Sequence, residues 1–232
     1  LGEQHDAPQH QRIERDVVQT LADRGTLAAV AIEMAEQRNS TVGLARDATD
    51  DQVQSALHWR SAGWSWAAYG PVVMAAVRAG VPVLGANLPR SKMSAAMADA
   101  SLDRQLSGPA LKAQQQAIRI GHCGLLPENQ ISPMTRIQLA RDMSMAQTVA
   151  NAHQASKTVL LIAGAGHVRR GLGVPLYLPR DLKAKVLIAQ AGEGQSAING
   201  EADVVWETAA LPPKDHCAEL QHSMRRALPQ AQ

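Results

Sequence analysis

Two short segments place a histidine three residues after a glycine. They are Gly2-Glu3-Gln4-His5 at the start of the chain and Gly164-Ala165-Gly166-His167 far downstream. A third polar group, Glu33, closes the apolar run Leu27 to Ile32. Histidine changes charge near neutral pH, and two histidines with carboxylates can hold a divalent metal or exchange protons. Glycine lets another backbone or side chain approach closely. A single G-x-x-H arises easily by chance. Two of them at comparable positions, with Glu3 and Glu33, predict one cleft that gathers Glu3, His5, Glu33 and His167. The plainer alternative is that both histidines cap helices or bond backbone groups.

The elements that must carry these residues read as alternating strands and helices. Asp6 is placed to cap a helix with Pro8 in its first turn, Ile13, Val17 and Leu21 along one face, and Gly25 as its stop. Leu27 to Ile32 has the continuous apolar character of a buried parallel strand. Thr49-Asp50-Asp51-Gln52 has capping-box spacing. A helix from Pro71 to Ala79, stopped by Gly80, precedes a strand from Pro82 to Ala86. Further strands are predicted over 158–163, 185–189 and 202–206, with a closing helix after Pro213 and a surface loop over 192–200. The predicted fold class is therefore α/β: a parallel β-sheet flanked by helices, with ligands expected where strands end. Residues 91–156 are rich in Ala, Gln and Met and carry helical spacing only, with a break at Gly121 to Pro127. They read as a small all-helical lobe inserted into a core domain of residues 1–90 and 157–232.

The 232 residues suit one compact domain with such a lobe. With aromatics at 3% and no Phe, the core must come from aliphatic residues and Met, so Tyr69, Tyr177 and the four Trp gain weight as signals. A net charge of +2 and the lack of a basic, aromatic-interleaved run argue against a nucleic-acid partner. No apolar run reaches the roughly 18 residues of a membrane span. Cys123 and Cys217 could pair, but two cysteines define no framework. Leu1-Gly2-Glu3 reads as the end of a strand, so an upstream segment is expected, in which a secretion or lipidation signal could lie.

Beyond these readings, the segments LGEQHD, AIEM, WAAYGPVV, VLGANLPR, HCGLLP, QLARDMSMA, LLIAGAGHVRRGLGVP and ADVVW occur in an order and spacing that resemble the ChaN-like haem-binding family. The resemblance runs along nearly the whole chain. It implies kinship in fold with Tiki and TraB proteins and erythromycin esterases. It also implies ferric haem held by a tyrosine, with two subunits forming a homodimer around paired haems; the matching position is Tyr69. A phenolate is a hard anionic donor suited to ferric iron, and the metal itself lowers the phenol pKa.

Other haem contacts are open: His122 or Cys123 as ligand or hydrogen-bond partner, and Met93, Met97, Met143 and Met145 against the ring. Arg90 with Lys92, or Arg169 with Arg170, could meet the propionates, and Trp59, Trp64 and Trp66 could wall the pocket. Each also has an ordinary loop, surface or core role. The expected function is haem-iron uptake or trafficking, with a haem-uptake receptor or transporter as partner and a periplasmic or membrane-anchored lipoprotein location. The alternative is a metal-dependent hydrolase using a divalent ion at His5, His167 and Glu33. A third reading is an envelope protein–protein module.

Overall fold

The computed structural model describes residues 1–193 and 200–227. Part of the loop expected over 192–200 thus lies outside the described residues. In chain order the strands are β1 (Gly2–Glu3), β2 (Leu27–Glu36), β3 (Val83–Asn87), β4 (Thr158–Gly164), β5 (Leu187–Ala191) and β6 (Val204–Thr208). The helices are α1 (Pro8–Asp23), α2 (Asp50–Ala56), α3 (Trp66–Ala79), α4 (Arg90–Ala98), α5 (Gly108–Gly121), α6 (Glu128–Ala152) and α7 (His216–Ala227). The strands form one parallel sheet in the order β3-β2-β4-β1-β5-β6, so the α/β fold class holds. All strand exits therefore lie along one edge.

Strand β2 shows how the sheet is filled. Alternate side chains point to opposite faces of a strand. Val30, Ile32 and Met34 join Val72, Val73 and Val77 of α3 on one face. Ala31 meets Ala86, Ala163 and Met145, Ala146 and Val149 of α6 on the other. The first half of α6 belongs to a separate apolar cluster, with Leu139 against Leu88, Ala96, Leu102 and Leu106. Helix α6 is thus shared between the sheet and the helices that follow β3.

Several local expectations hold. Thr49 and Gln52 form both halves of the capping box that opens α2. Gly80, at φ 76°, ends α3 in the left-handed conformation that glycine adopts without steric cost. Two do not hold. The N-cap of α1 is Ala7, not Asp6, and no side chain bonds the cap; buried Ala7 sits where a polar cap was expected. Helix α3 begins at Trp66, five positions before Pro71, which lies inside it. Tyr69 is consequently a first-turn helical residue facing the sheet.

Cys123, in the turn between α5 and α6, is bonded to Cys217 of α7 with 5.6 Å between Cα atoms. This link closes a loop of sequence separation 94, worth about 4.7 kcal/mol in the chain-entropy model. No helix among the described residues is long and apolar enough to cross a membrane.

Candidate functional site

Strands β1 and β4 are neighbours, with Gly2 opposite Ala163 and Glu3 opposite Gly164. The two G-x-x-H segments therefore leave the sheet side by side. Their glycines are needed for space: a Cβ on Gly2 would lie 2.4 Å from Val168 Cγ2, and one on Gly164 would lie 2.9 Å from His5 Nε2. Close approach is the reason, because neither glycine has a positive φ.

Glu3 is 2% exposed and accepts from three side chains. Tyr69 Oη–H donates to Oε1 at 2.5 Å, His5 Nδ1 lies 2.7 Å from the same oxygen, and Gln11 Nε2 donates to Oε2 at 2.5 Å. Burial works against charge on His5, but the bond to Glu3 and the nearby Glu33 outweigh it, and its pKa is raised.

Glu33 stands between the two histidines. Its Oε2 accepts the Gly164 N–H at 2.8 Å and lies 3.9 Å from His5 Nε2, while Oε1 lies 3.3 Å from His167 Nε2. The other nitrogen of His167 is 2.5 Å from Asp142 Oδ1 on α6. Burial opposes ionisation of Glu33, yet His167, His5 and the Gly164 amide together hold its pKa down at about 2. Burial also opposes the charged form of His167, but Glu33 and Asp142 raise its pKa to about 10. Asp142 is pushed up to about 6 by burial, tempered by His167. At neutral pH this is a buried carboxylate–imidazolium–carboxylate row.

The predicted convergence of Glu3, His5, Glu33 and His167 is therefore present, with Tyr69 joined to it. Sequence reading missed Gln11, Glu14 and Asp142. Burial, then the charge of Glu3, pushes the Glu14 carboxyl up to about 10, and both of its oxygens are buried without a hydrogen-bond partner. The buried positions of α1 are His10, Gln11, Glu14 and Val18, whereas Ile13, Val17 and Leu21 are only half-buried. The i, i+4 spacing of His10, Glu14 and Val18 was available, but polar residues are not counted in an apolar stripe. Asp142 lay in view within the QLARDMSMA segment.

Tyr69 is 4% exposed. Trp59 and Trp64 pack on its ring at centroid distances of 6.3 and 5.9 Å, and Trp64 meets His5 edge-on at 4.7 Å. Burial first, then Glu3, raises the phenol pKa.

Beyond Trp64 and Glu33 a cleft of about 220 Å³ opens, lined also by Arg60, Arg90, Arg141, Asn87 and Met93. Met97 is half-buried on the same helix as Met93, and its carbonyl accepts from Arg136. His122 caps α5 with its ring on the Ile118 carbonyl at 2.9 Å, beside the disulfide. Arg169 and Arg170 are ion-paired with Glu201 and Asp203.

Among the described residues no group of three or more His, Cys, Asp and Glu is arranged to hold a metal ion. Both ring nitrogens of His167 already face carboxylates, so neither offers a lone pair. A haem fits better. Tyr69 supplies a suitable donor type with a base beside it, although its hydroxyl is covered as placed, and the adjoining cleft holds the buried unpaired polar atoms Arg141 Nε and Asn87 Oδ1.

A parallel α/β domain with paired G-x-x-H exits, a tyrosine inside their hydrogen-bond network and helices between β3 and β4 defines a narrow class. The chain belongs to the family described as haem-binding uptake, Tiki superfamily, ChaN, whose model matches residues 1–178. The ADVVW segment lies past that match. A solved structure of ChaN of Campylobacter jejuni, described as showing cofacial haem binding, is similar to this chain. It has 23% sequence identity and a TM-score of 0.70, covering 88% of this chain and 84% of that one. No curated protein matches.

Proposed function

We propose that this protein binds ferric haem in haem-iron uptake or trafficking, with Tyr69 as the iron ligand. The observation that carries the reading is membership of a haem-binding family through a match that includes Tyr69 and the strand exits around it. Haem supplies a Lewis-acidic ferric centre that favours an anionic oxygen donor. The chain's part is to release the phenol proton, and the base in place is Glu3 Oε1, 2.5 Å from the hydroxyl. His5, on the same oxygen, orients that carboxylate. Tyr69 would hold the iron through the oxygen that now donates to Glu3, and Trp64 and His5 pack beside that ring.

A cofacial arrangement, as described for the Campylobacter protein, supports proposing that two copies of this chain associate around their haems. The disulfide supports placement in an oxidising compartment such as the periplasm, which cell fractionation with thiol labelling reads out.

Titration of the protein with ferric haem tests the ligand. A Soret shift and a phenolate-to-iron charge-transfer band are expected, with Tyr69→Phe losing the band and weakening binding at least about tenfold. Sedimentation of the same samples should show dimers with haem. An unchanged spectrum in Tyr69→Phe removes the assignment, and haem-loaded monomers at high protein concentration remove the dimer.

A further inference from the structure

The cleft next to Tyr69 is unusual in its charge. Arg60 comes from the segment between α2 and α3, Arg90 opens α4, and Arg141 lies on α6, yet all three line one space. None of the three side chains has a hydrogen bond or ion pair among the described residues, and Arg141 Nε is both buried and unbonded. Arg141 also neighbours Asp142, where its charge is the least of the influences that temper the rise burial causes. Two carboxylates face the same space. Glu33 is engaged by His167 and the Gly164 amide, which leaves Glu36. Three guanidiniums against one free carboxylate leave a surplus of two positive charges. Guanidinium is built to meet a carboxylate through paired N–H donors. Leu88, Met93 and Trp64 add apolar surface to the same walls. The alternative cations, Arg169 and Arg170, are already spent on Glu201 and Asp203.

We infer that this cleft is the seat of the two porphyrin carboxylates, with Arg60, Arg90 and Arg141 as their partners and Trp64 as the wall between this seat and Tyr69. The inference rests on the haem reading above, but concerns different residues from the iron ligand. Haem carries two propionates, which match the surplus charge. At about 220 Å³ the cleft accommodates the carboxylate edge and not the whole ring. The ring then extends past Trp64 towards the tyrosine, over the apolar part of the wall. Arg90 gains further from its position at the amino end of α4, where the free N–H groups of the first turn favour an anion.

The test compares ferric haem with its dimethyl ester, in which both carboxylates are neutral, by absorption titration of the whole protein. Wild type should bind the free acid at least about tenfold more tightly than the ester. Arg60→Gln/Arg90→Gln, which removes two exposed side chains and leaves Arg141, should remove most of that preference and leave ester affinity unchanged. Arg60→Lys/Arg90→Lys should restore part of it. The seat is wrong if wild type binds acid and ester equally, or if the glutamine variant keeps the preference; in both cases the protein still binds porphyrin and the haem reading stands. If wild type binds neither form, the haem reading fails and the seat fails with it. An unchanged circular dichroism spectrum shows that the variants fold.

Discussion

Glu33 and Trp64 divide two regions of opposite design. On one side Glu3, His5, Gln11, Tyr69, Glu33, His167 and Asp142 are tied to one another by hydrogen bonds and ion pairs, although Asp142 Oδ2 and both oxygens of neighbouring Glu14 are buried without a hydrogen-bond partner. On the other, three arginines share a cleft without an ion pair among the described residues. Buried charges survive only if paired and hydrogen-bonded, so the first region must satisfy itself before any ligand arrives. Half-exposed arginines keep much of their hydration and can wait for an anion. The contrast teaches that the most chemically conspicuous residues are those most consumed by the fold. The partner-free cations of the described residues around the site lie beside them.

Removing Glu33 should show this most strongly. Glu33→Ala leaves the Gly164 amide without its acceptor and strips His167 of one of its two carboxylates. Losing one partner of a buried ion pair costs about 3–5 kcal/mol, and urea unfolding should show a loss of that order. Arg90→Ala, an exposed residue without a partner, should change stability by less than about 0.5 kcal/mol. Comparable losses for the two variants would erase the distinction between a closed network and an open cleft.

Much of the fold was legible because aliphatic strands announce themselves. Leu27 to Ile32 and Thr158 to Ala163 are apolar runs with no competing period, and both are strands of the sheet. The convergence of Glu3, His5, Glu33 and His167 followed from parallel topology alone. Helix α1 was read on the wrong face, because Ile13, Val17 and Leu21 outscore His10, Gln11 and Glu14 in hydrophobicity. The site reverses that logic, since it buries the polar face of α1 in order to satisfy Glu3. Asp142 and the arginine cleft depend on how α6 lies across the sheet, and no spacing along the chain reveals that. The covered state of Tyr69 follows from α3 starting at Trp66, ahead of its proline.

Protons probe the closed side more gently. His167, raised from an ordinary 6.5 to about 10, contributes stability that is complete below pH 6.5 and disappears as pH rises through about 10. Glu14, raised from 4.5 to about 10, is protonated when folded and ionised when unfolded, so its contribution also declines towards pH 10. Glu33, held at about 2, contributes above pH 4.5 and adds no slope on the alkaline side. Stability should therefore fall between pH 7 and 10. Glu14→Gln keeps the shape but cannot ionise. It should remove one proton from the linkage, up to about 1.4 kcal/mol per pH unit, and leave the variant more stable than wild type at pH 9. Parallel pH profiles for the two proteins would mean that Glu14 is not the buried acid.

The weakest expected effect belongs to the open side and comes from salt. Three arginines facing one cleft of about 220 Å³ repel each other across partly hydrated space, where added ions screen effectively. The buried pairs of the network are too close and too dry for screening to matter: His167 lies 2.5 Å from Asp142 and 3.3 Å from Glu33. Raising sodium chloride from 0.05 to 0.5 M, roughly a threefold contraction of the screening length, should stabilise wild type against urea by a few tenths of a kcal/mol. The scale is about that of exposed charge interactions elsewhere, below 1 kcal/mol. Arg60→Gln/Arg90→Gln has one arginine left in the cleft, facing Glu36 alone, so the gain should disappear. The glutamine variant should also match salt-treated wild type at low salt, because substitution and screening remove the same repulsion. If wild type and variant respond to salt identically, the repulsion lies elsewhere on the surface, and the cleft arginines are held apart well enough that they need no anion between them.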